Sequence, residues 1–278
     1  MAALESLSEY FLHQHRNLEN YLLQCKAHAE PEVIHQLRLC IKKLRAYNKL
    51  ATYPGPSQPE EYKKVAQELK KLFSLAGQIR DVQVQIQLLA EYEEQNNTPY
   101  PEFGKWLQSI EKKQISHFNS SSGNFFPFPD GKSSKQQNAE ESSVESNETI
   151  LLHSEIVLNE LFAMAQKLAT GYIIDADLHR IRRVTKQLRY ILNVVHYSFP
   201  DYAYRRITIA DLREIESVVG VWHDKLVGRE FLESFMKKFH KMDKPARIRY
   251  QALVDVFTKE QNSSYEKACQ VVKEKLLL

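Results

Sequence analysis

His35, Arg38, Lys42 and Arg45 recur at the same intervals, in altered surroundings, as His179, Arg182, Lys186 and Arg189. Intervals of three, four and three residues put each set on one side of an α-helix. The residue types fit an anion. Arginine offers phosphate a planar fork of donors, lysine adds a compact charge, and a protonated histidine donates from the same row. Lys49 continues the first row, which then covers roughly 20 Å of helix axis. Like charges in a row repel, and more strongly where water is withdrawn, so the arrangement asks for counter-charge. An extended polyanion suits that length better than a single phosphate.

At about 100° per residue the first row falls within an arc of roughly 80°. Leu37, Ile41 and Leu44 occupy the neighbouring arc, as Ile181, Leu188 and Leu192 do in the second copy. Cations that border a buried stripe, instead of opposing it, line a groove or channel between helices. A second motif is also duplicated. Lys70, Gly77, Arg80 and Asp81 match Arg213, Gly220, His223 and Asp224, and the two motifs keep their separation to within one residue. That pattern is a repeated helical unit. Lys70 and Arg213 share a helix face with Gly77 and Gly220, where glycine allows another backbone or a ligand to approach closely. Asp81 and Asp224 are expected to be structural, holding cations of the first motif in a fixed rotamer. Arg183 adjoins the second row and is counted with the candidate binding residues.

The elements that must position these rows are helices. Glycine is scarce, at 8 in 278 residues, and β-branched runs are few. Apolar spacing predicts helices over 3–29, 31–53, 59–95 (kinked or interrupted at Gly77) and 101–118. Residues 119–147, rich in Ser, Asn, Gln and Glu, read as a disordered linker, with Phe125, Phe126 and Phe128 set between prolines inside it. Helices follow over 148–170, from Asp175 or Asp177 as cap to Phe199, and over 202–222. Shorter ones come next, with breaks near Gly228, Pro245 and Asn262-Ser263-Ser264. The organisation is therefore a first repeat over 1–118, a linker over 119–147 and a second repeat over 148–278.

Composition narrows the function. Net charge of +3 says little about partners, so the local rows carry the argument. No apolar run approaches the roughly 20 residues of a membrane span, and the first residues lack the pattern of a signal peptide. Cys25, Cys40 and Cys269 are scattered and fit a reducing cytoplasm. No metal site or cofactor motif is read. His13 and His15 diverge on a helix, and Gly131-Lys132-Ser133 lacks the first glycine of a phosphate-binding loop, having Phe126 in its place. A second basic cluster, Lys237, Lys238, His240, Lys241, Lys244, Arg247 and Arg249, is irregularly spaced.

On these residues the chain resembles the CHAD domain (conserved histidine α-helical domain) family. The likeness rests on His35, Arg38, Lys42 and Arg45, on Gly77, Arg80 and Asp81, and on their second copies from His179 and Gly220. It departs at His223, where arginine is usual. The resemblance implies one all-α domain of two pseudo-symmetric four-helix repeats around a basic pore or groove. It also implies binding of inorganic polyphosphate and a cytoplasmic place at polyphosphate granules. Some relatives carry a triphosphatase domain, whose Glu-x-Glu-x-Lys motif is absent here, so no enzyme activity is expected. The rival readings are a nucleic-acid binder, disfavoured by the lack of aromatics among the cations, and a protein-interaction scaffold working through the Phe-Pro cluster.

Overall fold

Pro31 and Pro101 each stand at the first position of a helix, where the missing N–H costs nothing. The computed structural model describes residues 2–51, 60–122, 147–239 and 242–277. Among them eight α-helices run in order: α1 Ala2–Ala27, α2 Pro31–Ala51, α3 Glu60–Asn96, α4 Pro101–Ser121, α5 Asn147–Ala169, α6 Asp175–Ser198, α7 Ile209–Lys238 and α8 Lys244–Leu277. The chain is all-α, as its residue usage predicts. The Phe-Pro cluster and most of the expected linker lie outside the described residues.

Three expected breaks are not breaks. α3 passes unbroken through Gly77, α7 through Gly228, and α8 through Asn262-Ser263-Ser264. Ser264 turns its hydroxyl back onto the carbonyls of Glu260 and Gln261, which keeps it compatible with the helix. Pro245 sits in the first turn of α8, where it starts a helix instead of ending one. The start of α6 is capped by Asp177, whose carboxylate accepts from the Ile174 N–H at 3.5 Å.

Each repeat is a chain of antiparallel neighbours. α1 packs on α2, α2 on α3 and α3 on α4, while α5 packs on α6, α6 on α7 and α7 on α8. The repeats meet through α2 against α6 and α3 against α7. Leu18, Ile34, Leu37, Ile41, Leu44, Leu72 and Phe118 fill the first interior. Leu158, Ile181, Leu188, Ile191, Val219 and Trp222 fill the second, which reaches across to Tyr10 and Ala46. A third cluster joins both halves, with Phe103 and Trp106 from α4 against Phe235 and Tyr250 from α7 and α8.

Gly228 and Gly220, eight residues apart on α7, serve opposite purposes. A Cβ on Gly228 would lie 2.6 Å from Gln85 Oε1 and 3.4 Å from the Phe257 ring. Gln85 cannot swing away freely: it is buried and its amide donates to the Asp224 carbonyl at 3.0 Å. Gly220 has nothing within 4 Å of such an atom, so no backbone or side chain approaches it. Gly228→Ala is expected to cost about 1–3 kcal/mol by overpacking. Gly220→Ala should add about 1 kcal/mol through helix propensity alone. Urea unfolding of both variants checks the contrast, and equal effects would contradict the packing described.

Candidate anion-binding site

α2 carries three faces. Ile34, Leu37, Ile41 and Leu44 turn into the first interior, and Leu39, Ala46 and Leu50 pack against the second repeat. The cations of the row lie between these two faces, rotated about 100° from the first and about 80° from the second. They cannot turn to bulk water without unpacking one apolar face or the other. α6 repeats the scheme with Leu178, Ile181 and Leu188 inside and Tyr190 at the position matching Ala46.

The two rows converge. Lys42 and Lys186 are partly buried and face each other across the junction of α2 and α6. Burial, then Lys186, Arg38 and Arg182, push the Lys42 ammonium down to about 7. Burial and Arg182 push Lys186 down to about 8. Glu216 acts in the opposite sense on both. The histidines flank this centre and are held neutral. His223 is pushed down to about 3 by burial, then Arg182, His179 and Lys186. His35 is lowered by burial and Arg80, and His179 by burial and Arg182. The His179 and His223 rings are 5.2 Å apart, and His179 rests 4.7 Å from Trp222.

Asp81 and Asp224 belong to the same cluster, next to Arg38, Arg182 and Arg80. Burial raises both carboxyls despite these cations. Asp81 nonetheless keeps an exposed surface, so water offsets part of that upward push. Among the described residues neither carboxylate makes a close ion pair with the cations around it.

The duplicated halves are not equivalent. In the first, Arg38 lies 4.1 Å from the centre of the Phe73 ring and donates to the Phe73 carbonyl at 2.9 Å. Its guanidinium fills the space beside Gly77, where a Cβ would come within 2.5 Å of Nη1. The neighbour that Gly77 makes room for is therefore the Arg38 side chain, not another backbone. In the second half Glu216 stands at the position matching Phe73. It accepts from Arg189 Nε at 2.5 Å and Nη2 at 2.9 Å, a bidentate pair. Arg182 has no such anchor: its Nε and the His223 Nδ1 are buried without a partner among the described residues.

Several candidates fall outside the cluster. Lys70 and Arg213 are exposed and absent from the charged neighbours of Lys42 and Lys186. Their spacing from the glycines places them about 10 Å further along the helix. Arg183 is exposed, and Lys49 looks toward Glu160. Arg45 is exposed, 5.6 Å from the Phe73 ring centre. Arg189 is in place, but its charge is already matched by Glu216. In the second basic cluster, Lys237, Lys238, Lys244 and Arg247 are exposed and Arg249 pairs with Glu102. His240 and Lys241 lie outside the described residues. Phe73, Tyr190 and Glu216 are site residues that motif matching alone passes over. Reading Phe73 against Glu216 across the two copies is the signal that exposes them. Among the described residues no group of His, Cys, Asp and Glu could hold a metal ion.

A row of clustered, half-buried cations stands on two related helices inside an all-α double repeat. The family model of the CHAD domain matches residues 9–120, which lie almost wholly within the first repeat. The structure is similar to the crystal structure of the CHAD domain from the plant Ricinus communis, with TM-score 0.69 and 17% identity over 99% of this chain and 92% of that one. It is also similar to PptA from Streptomyces chartreusis, with TM-score 0.71 and 12% identity over 98% of this chain and 99% of that one. These likenesses are of fold. No curated protein matches the sequence. The family is linked to polyphosphate binding, and its members are generally non-catalytic binding domains. Among the described residues no helix is long and apolar enough to cross a membrane.

Proposed function

We propose that this chain binds inorganic polyphosphate, without catalysis, in the cleft between α2, α3, α6 and α7. Arg38, Lys42, Arg182 and Lys186 hold the anion, with His35, Arg80, His179 and His223 around them. The carrying observation is the convergence of Lys42 and Lys186, two partly buried lysines whose ammonium groups are driven down by burial and by neighbouring cations, Lys186 first for Lys42 and Arg182 first for Lys186. A phosphate chain relieves that repulsion and gives the orphaned Arg182 Nε–H an acceptor. The same reading carries a cytoplasmic role at polyphosphate granules.

A nucleic acid would meet the same charge, but among the described residues the two rings packed against the cations, Phe73 and Tyr190, are already covered. The Phe73 face is covered by Arg38 and that of Tyr190 by Arg189 and Lys42. Long-chain polyphosphate should therefore displace RNA at fixed salt, and the reverse order would favour the nucleic-acid reading.

Counterion release makes log affinity fall linearly with log salt, by about 0.7 per contact for a single-stranded polyanion. Replacing Arg38 and Arg182 together by Ala should lower that slope by about 1.4. Titration of the wild type and the double variant from low to high salt reads it. An unchanged slope removes both arginines from the site.

A further inference from the structure

We infer that Glu216 is an internal counter-anion, a built-in substitute for one ligand charge that a polyanion must displace to use the second half of the cleft. This rests on the proposed anion-binding reading and concerns how that site is limited. The duplication supplies the control. Phe73 and Glu216 are equivalent positions, four residues before Gly77 and Gly220. Phe73 offers Arg38 and Arg45 a ring, which orients them without the bidentate ion pair that Arg189 has, Asp81 being the carboxylate that acts on Arg38. Glu216 instead grips Arg189 through both carboxylate oxygens, with only 11% of its side chain exposed. Beyond the matched pair Asp81 and Asp224, the second wall thus carries one extra carboxylate, locked in a close ion pair that the first wall lacks.

Glu216 also reaches beyond its partner. It favours the charged forms of Lys42, Arg182 and Lys186 and is the carboxylate common to all three. An arriving phosphate competes with it for the same field. Binding at full depth therefore requires Glu216 to leave Arg189 or to share it, and either costs affinity. The design has a return: with no ligand present, Glu216 keeps the second row from driving its helices apart.

The test is Glu216→Gln, which removes the charge yet retains a carbonyl oxygen for Arg189. Glu216→Phe, which copies the first half, guards against a variant that fails to fold. Binding of long-chain polyphosphate, read by titration calorimetry, should tighten about tenfold, and the salt slope should steepen by about 0.7 as Arg189 becomes available. Equal or weaker binding by both folded variants overturns the inference and leaves the polyphosphate reading intact. A second readout needs no ligand. Lysine Cε resonances followed against pH should show Lys42 and Lys186 titrating lower in Glu216→Gln than in the wild type. Unmoved titrations overturn the counter-anion role. Failure of wild-type protein to bind polyphosphate at all would instead overturn the functional reading, with the lysine titrations still deciding the role of Glu216.

Discussion

Exchanging Lys42 and Lys186 together for methionine should give a protein that melts at a higher temperature and has lost its anion. Both ammonium groups sit where water is scarce and face like charge, so each is held in an unfavourable state by the packing around it. Methionine keeps the unbranched shape and fills the same space without a charge. Replacing buried charges by apolar groups of similar volume is neutral or stabilising by about 1–4 kcal/mol, and here no opposite partner is orphaned at close range. Binding should move the other way. A hydrogen bond from a charged group contributes about 1.5–3 kcal/mol, so losing two should weaken polyphosphate binding by a factor on the order of 100 or more. Thermal unfolding and titration on the same sample check both halves. A double variant that melts below the wild type would mean the lysines hold the fold together. One that melts higher and still binds would move the site elsewhere.

What was legible in the sequence follows from periodicity. The rows from His35 and His179 are written at helical spacing beside apolar stripes, and a one-dimensional pattern of that kind fixes which face of a helix a residue shares. The position of the rows beside apolar stripes predicts that they line a groove between helices; which cations meet there depends on how α2 crosses α6. Arg189 shows the difference. Its type and spacing match Arg45, yet Glu216, on another helix, cancels it. Lys70 and Arg213 fail for a related reason: sharing a face with a glycine does not place them at the same height. The misread breaks at Gly228 and Ser264 come from treating residue type as local punctuation. Gly228 is there because Gln85 and Phe257 press on it, and that contact joins distant parts of the chain. Gly77 and Gly220 match in sequence but not in purpose, since only the first is covered by an arginine.

The pH dependence should run through lysine, although histidine gives the family its name and the sequence its first landmark. His223 is held at about 3, and His35 and His179 are lowered, so the empty cleft gains little histidine charge between pH 8 and 6. Lys42 and Lys186, at about 7 and about 8, are the groups that titrate in the range above. A bound polyanion favours their protonated forms, so binding takes up protons, and affinity falls as pH rises above 7. Each lysine contributes at most about tenfold per pH unit once pH exceeds its own value, so the two together lose up to the order of 1000-fold from pH 7.5 to 9.5. Folding stability has the opposite sign. The unfolded chain returns these lysines to their ordinary 10.5, so from about 7 to 10.5 the unfolded state binds more protons and the unliganded protein gains stability with pH. Affinity and stability therefore diverge over one interval, which separates this account from general alkaline damage, where both would decline. Titrations and urea melts at half-unit steps from pH 6.5 to 9.5 test it. In the double methionine variant the rise in stability should flatten, because the two groups that couple protons to folding are gone. A rise that persists would assign the coupling to other groups.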